Sequence, residues 1–208
     1  MKSKDRITVM ICTSADGKKV PLAVVGKSKK PHCFNLCDGK PPFPYINQAN
    51  TWSDKPITLW WINCVFWPHH MSVNGDVNAV LLIENCSAHT DMNQAQLTDI
   101  LIVVYLPQNM TSNHQPEDMG MIARLKVGYK TTLLRNILSV FETEGGYQNS
   151  ARQQLQAPLG CKGLIYGGKA MVLDAMIILN DLWSADKKYS EENGILRCWC
   201  KAGILPAS

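Results

Sequence analysis

Apolar positions in this chain fall into two spacings, and each predicts a different element. Ala79 to Ile83 (AVLLI) is an unbroken apolar run. It predicts a strand covered on both faces, as in the parallel part of an α/β sheet. A second run, Ile100 to Leu106, closes at Pro107. Arg6 to Thr13 (RITVMICT) is rich in β-branched residues and ends at the turn signal Ala15-Asp16-Gly17, after which Val20 to Val25 resumes the pattern. Those two segments predict a β-hairpin.

Helical spacing takes over elsewhere. From Ser53 to Phe66 the apolar positions Ile57, Trp60, Trp61, Val65 and Phe66 form one stripe. Ser53 serves as N-cap, Pro56 stands in the first turn and Pro68 ends the helix. Pro116 opens a long helix to about Phe141. Its inward positions are Ile122, Leu125, Leu133, Ile137, Leu138 and Phe141, with Arg124, Lys126, Lys130 and Arg135 outside and Gly145-Gly146 as the stop. Met171 to Trp183 and a short helix around Ile195 to Trp199, capped by Ser190, complete the series. Residues 35–51, with Pro41, Pro42 and Pro44, read as an irregular crossover, and residues 145–169 as a loop. The order fits an α/β sheet domain over residues 1–144, with residues 145–208 as a loop and C-terminal helices packing on it.

Composition narrows the class. The 208 residues, 46% hydrophobic and 18% charged, can bury a sizeable core and exclude a disordered chain. No apolar run approaches the roughly 20 residues of a membrane helix. The net charge of +4 is uneven: residues 1–40 hold nine Lys/Arg against three Asp. Its densest cluster, Lys27, Lys29 and Lys30, leaves the hairpin and suits either a polyanion or solvent. The eight cysteines are scattered among apolar neighbours and no signal peptide precedes them, so reduced thiols in an intracellular chain are expected.

The candidate chemistry lies where strands end. Glu84 follows the Ala79 run and Asp118 falls in the first turn after Pro116. Open α/β sheets place their sites at such strand ends. Converging carboxylates can hold Mg²⁺ for two-metal phosphoryl transfer. Asp118 can equally complement the helix dipole. Zinc at Cys33/Cys37 or Cys198/Cys200, with His32 or His69-His70, lacks the usual framing of paired ligands. The tryptophans read as core before they read as base-stacking platforms. Gly167-Gly168-Lys169 lacks a preceding strand and the phosphate-loop pattern.

These same stretches carry a resemblance. LLIENCSAH (81–89) and LPQNMTSNHQPEDMG are similar to the LLLDNCPAH and LPPNTTSxxQPxDxG motifs of the DDE-superfamily endonucleases of the pogo/Tigger transposase group, to which centromere protein B and the jerky proteins are related. KDRITVMICTSADGKKVPLAVVGKSKKPHCF, VLDAMIILNDLW and ILRCWCKAGIL resemble that group's upstream segment and C-terminal helices, so the likeness runs from about Lys4 to Leu205. It implies an α/β fold of the RNase H-like kind, a mixed sheet flanked by helices, whose first and central strand is missing here. It implies Mg²⁺-dependent cutting and joining of DNA in the nucleus. The family's third acid maps to Asp118 and its second to Glu84, where Asp is usual; the first lies on a strand before KDRITV. Asn85 and His89 match the pattern beside Glu84, with a strand-end turn and a polar cap as their plainer roles.

Three functions follow as expectations. One is a nucleic-acid-binding, catalytically inactive transposase-derived domain, with phosphate contacts from Lys27, Lys29, Lys30, Lys126 and Lys130. Another is an active nuclease fragment of a longer protein. The third is a domesticated protein-interaction module, or a remnant with no selected role. Without a central strand, the Arg6 and Ala79 strands are expected to pair directly or to drive homo-oligomerisation through their open edges.

Overall fold

A computed structural model describes residues 6–89, 100–107, 114–142, 154–156, 162–164, 171–184 and 193–206. The hairpin is present as β1 (Thr8–Met10) and β2 (Ala23–Gly26), antiparallel with Thr8 opposite Val25. An isolated bridge from Thr13 to Lys19 continues the pair toward its turn. On the other side of β2 runs β3 (Tyr45–Asn47), parallel to it. β3 lies inside the stretch expected to be irregular, preceded by a 3-10 helix at His32–Cys37. Three residues are too few to show a period, so the pairing is set by tertiary contact rather than by pattern.

β2 is buried throughout and its side chains alternate between two cores. Leu22 and Val24 face Phe43, Met176 and Leu179. Val20 and Ala23 face Trp61, Ile62, Val65 and Phe66. That second core also contains Ala79 and Leu81 of β4 (Ala79–Ile83) and Leu101 of β5 (Leu101–Tyr105). β4 and β5 are parallel over all five residues. They form a sheet of their own, and among the described residues β1 and β4 do not pair. The direct closure expected of those strands is therefore not observed.

The layer that spans both sheets is helical. α1 (Lys55–Trp61), a π-helical turn (Ile62–Phe66) and α2 (Trp67–Asn74) follow without a break. Asp54, not Ser53, is the N-cap: its carboxylate accepts the Ile57 N–H at 3.1 Å. Pro68 does not end the helix. The wider π turn, closed by Trp67 N–H to Ile62 O, places the proline in the first turn of α2, where a missing N–H costs nothing. α2 stops at Gly75, whose φ of 74° suits a residue without Cβ.

The C-terminal helices pack on the first sheet. A 3-10 turn (Pro116–Met119) leads into α3 (Met121–Glu142). A short antiparallel pair, β6 (Gln154–Gln156) and β7 (Lys162–Leu164), replaces part of the expected loop. α4 (Val172–Ser184) buries Leu173, Met176 and Leu179, and its Trp183 Nε1 donates to Val20 O at 3.0 Å. α5 (Asn193–Lys201) sends Trp199 Nε1 to the Thr13 hydroxyl at 3.3 Å. Ser190, Gly145 and Gly146 lie outside the described residues.

Two burial expectations fail. Leu138, expected on the inner face of α3, is 55% exposed. Val80 is 61% exposed, as are Ile102 and Val104 in large part, so β4 and β5 are covered on one face only among the described residues. The reason is the layer count: helices α1 and α2 cover one side of this sheet and no described element covers the other.

Gly26 tests the tight contact at the exit of β2. A Cβ there would stand 2.4 Å from the Tyr45 hydroxyl and 2.7 Å from its ring. That ring is fixed by an edge-on contact with Phe34 and by a hydrogen bond from its hydroxyl to Ser28 O at 2.7 Å. Gly26→Ala is expected to destabilise the chain by about 1–3 kcal/mol, the usual cost of overpacking. Denaturant unfolding of the two proteins measures this, and equal midpoints would show that Tyr45 moves freely.

Candidate functional site

The unpaired edges of β1 and β4 enclose a cleft of about 860 Å³. Residues 8–16 line one wall and residues 79–84 the other, with Trp61 and Phe66 beneath and Gln115, Pro116 and Glu117 at one side. Trp61 Nε1 and Gln115 Oε1 are buried there with no hydrogen-bond partner among the described residues. The walls are mostly apolar, and the polar groups gather near the strand ends.

At the carboxyl end of β4 the backbone turns through Glu84, Asn85 and Cys86 to His89. Cys86 N–H donates to Glu84 O at 3.1 Å and His89 N–H to Cys86 O at 2.9 Å. Two other elements pin this turn: the Tyr105 hydroxyl donates to His89 O at 2.9 Å, and the Thr58 hydroxyl to Ala88 O at 3.3 Å. Glu84 is half-buried and held on a rigid frame. Asp118 comes to it from the 3-10 turn before α3. The Asp118 carboxyl is pushed above its ordinary range, first by partial desolvation and then by the charge of Glu84, with Lys126 opposing. Asp118 thus lies within electrostatic reach of both Glu84 and Lys126.

Lys27, Lys29 and Lys30 are exposed just beyond β2. A series of bonds relates that exit to the Glu84 turn: Gln48 N–H to Gly26 O at 2.8 Å, the Thr8 hydroxyl to Thr51 O at 2.7 Å, and Thr58 to Ala88. Lys130 is exposed one helical turn beyond Lys126 on α3.

Sequence reasoning passed over Glu117. Its Oε1 accepts the Thr13 N–H at 3.2 Å and the Thr13 hydroxyl at 3.1 Å. Burial nevertheless raises its pKa, with Asp118 adding to the rise; the half-buried Cys12 thiol is pushed up by desolvation first and by the Glu117 charge second. Glu117 ties the 3-10 turn before α3 to Thr13, just past β1, whereas Asp118, one residue on, feels the charge of Glu84. Helical spacing does not separate the two acids, because both stand in one turn, and the QPxDxG motif singles out Asp118 while leaving Glu117 at a variable position.

Glu84 at a strand end and Asp118 at a helix start thus stand on a mixed α/β frame, with exposed lysines on the elements around them. The chain belongs to the DDE superfamily endonucleases, whose pattern matches residues 4–161. Its relatives place it in the pogo/Tigger branch. It is similar to Tigger transposable element-derived protein 4 of Mus musculus, 27% identical over 146 residues, covering 67% of this chain and 26% of that protein. It is also similar to Tigger transposable element-derived protein 7 of Homo sapiens, 28% identical over 150 residues, covering 67% of this chain and 27% of that protein. The chain thus spans about a quarter of the length of these relatives. No solved structure matches it. It is a transposase-derived DDE endonuclease-like domain, and its mixed α/β architecture is consistent with the RNase H-like fold of that family.

Glu117 gives a pH signature. Its folded pKa lies above the ordinary value of 4.5, so folding favours the protonated acid. Stability from this group is complete below the ordinary value and is lost as pH rises through the raised one. Glu117→Gln keeps an acceptor for Thr13 and removes the buried charge. The variant should melt higher than the parent at neutral pH, with the difference closing as pH falls below 4.5. A gain that is equal at every pH, or no gain, would contradict the assignment.

Proposed function

We propose that this is a DNA-binding DDE domain that does not cut DNA with the acids it contains. The observation that carries the reading is the electrostatic influence of Glu84 and Lys126 on Asp118, in a chain that also exposes Lys27, Lys29 and Lys30. The lysines would bind phosphates, without reading bases. A divalent metal pair, when present in such a centre, activates the attacking oxygen and stabilises the leaving one. Glu84 and Asp118 suit one Mg²⁺ that keeps several waters. They do not suffice for a clamped pair of ions, which needs a further acid between them. Glu117 does not fill that role, being bonded to Thr13. Glu84 also carries one methylene more than the usual Asp, and a shift of about 1 Å can cost on the order of a hundredfold in rate. A DNA-bound domain of this kind belongs in the nucleus.

The cleft supports a second element of the reading. Among the described residues β1 and β4 each keep an open edge, and two buried polar groups line the cleft without a partner, which suits an extended segment laid between the strands. The family resemblance implies a central strand bearing the first acid at that place. When the 208 residues are studied alone, a second copy is the occupant at hand. The isolated chain should therefore self-associate with rising concentration in sedimentation experiments, and a monodisperse monomer at all concentrations would overturn this.

Catalysis and binding are tested together. Supercoiled plasmid should stay intact with the chain and Mg²⁺ or Mn²⁺, and with Glu84→Asp. Nicking should appear only when Glu84→Asp is combined with an added N-terminal strand carrying an Asp, and should vanish again in Asp118→Ala. Nicking by the unmodified chain that disappears in Asp118→Ala would sink the inactive reading in favour of an active nuclease. DNA affinity should fall steeply with salt and show little sequence preference. Replacing Lys27, Lys29 and Lys30 by Ala should lower the salt slope by about one for each phosphate no longer neutralised. An affinity indifferent to salt would instead favour a protein-interaction role.

A further inference from the structure

The turn after β4 holds a donor set that Mg²⁺ chemistry does not use. Glu84, Cys86 and His89 lie within six residues, and one ligand atom from each falls within 4.8 Å of the other two. Among the described residues no other His, Cys, Asp and Glu side chains form such a group. We propose that these three side chains bind zinc, or a divalent transition metal of similar preference, with a fourth position open to water.

Geometry, chemistry and rigidity carry the assignment separately. Cys86 Sγ stands 3.3 Å from His89 Nδ1. A tetrahedral zinc with Zn–S of about 2.3 Å and Zn–N of about 2.0–2.1 Å sets those atoms about 3.5 Å apart, so little movement is needed. Thiolate, imidazole and carboxylate together suit zinc, while Mg²⁺ prefers oxygen ligands and octahedral geometry. His89 Nδ1 also lies 2.9 Å from Glu84 O, a contact in which an Nδ1 proton would be donated to the carbonyl. Zinc at Nδ1 requires the tautomer with its proton on Nε2 and displaces the thiol proton of Cys86, so binding releases that proton to solvent. The half-buried frame is already set by Tyr105 and Thr58, which hold the His89 and Ala88 carbonyls. Preorganisation of this kind lowers the ordering cost of binding.

The site does not depend on the nuclease reading, and its test uses no DNA. The purified 208-residue chain is stripped with chelator and titrated with Co²⁺, then with Zn²⁺ against a chromophoric chelator. One equivalent of Co²⁺ should produce the visible bands of tetrahedral coordination and a near-ultraviolet thiolate charge-transfer band, both displaced by Zn²⁺ and unaffected by excess Mg²⁺. Cys86→Ser should abolish the charge-transfer band, and Cys86→Ser and His89→Gln should each weaken zinc by at least the roughly tenfold loss that removal of an outer-shell partner causes. Cys64→Ala, at an exposed thiol away from the turn, should change neither. Because a turn variant can misfold, the unmodified chain gives a second readout: stoichiometric zinc should slow alkylation of Cys86, mapped by mass spectrometry, and leave Cys64 as reactive as before. A charge-transfer band that survives Cys86→Ser, no band at all, or alkylation of Cys86 indifferent to zinc would overturn the proposal.

Discussion

The structure depends on one helical layer that holds two sheets with no backbone ladder between them. Trp61, Ile62, Val65 and Phe66 lie against Val20 and Ala23 on one side and Ala79, Leu81 and Leu101 on the other. Each such side chain contributes about 1.5–3 kcal/mol on burial, so the layer can join the sheets through apolar contact alone. Spaced i, i+1, i+4 and i+5, Trp61, Ile62, Val65 and Phe66 share one helical face and all reach the same core. The π turn that follows Trp61 sets Pro68 in the first turn of α2, where its missing N–H breaks no bond.

What such a layer cannot supply is hydrogen bonds for strand edges. The cleft is the physical outcome: side chains close its floor while β1 and β4 stay unpaired with each other among the described residues. An edge of this type recruits another strand when one is available. Glu117, from the turn before α3, is bonded to Thr13 beside that cleft.

Legibility in the sequence followed the length and periodicity of each element. β4 and β5 were readable because an unbroken apolar run allows little else, and α3 and α4 because their stripes are long. β3 and the β6–β7 pair were not, since three-residue strands carry no period and owe their pairing to distant partners. Ser53 and Asp54 are both good caps, and local chemistry does not choose between neighbours; the observed bond to Ile57 does. Val80 and Leu138 break the expected pattern for a common reason. Apolar character predicts burial only where another layer arrives to cover it, and no local pattern reports the number of layers.

The candidate site divides along the same line. Glu84 and Asp118 could be found from ordered motifs, yet their proximity is a tertiary fact, visible in the way one charge disturbs the other. Cys86 and His89 do not stand out as zinc ligands because the familiar signature is a pair of cysteines, whereas here a single turn presents three different donors. Glu84 is the hinge between the two readings. A glutamate reaches farther than an aspartate, and the turn behind it curls a thiol and an imidazole back toward its carboxylate. On the proposed reading, one carboxylate is offered to a hard cation shared with Asp118 and to a softer one shared with Cys86 and His89. It cannot satisfy both at full strength. Soft donors outnumber the single oxygen ligand on the turn, and transition metals bind such sets more tightly than Mg²⁺ binds a pair of acids. Zinc would thus draw Glu84 away from Asp118, and the acid pair would lose one of its two carboxylates.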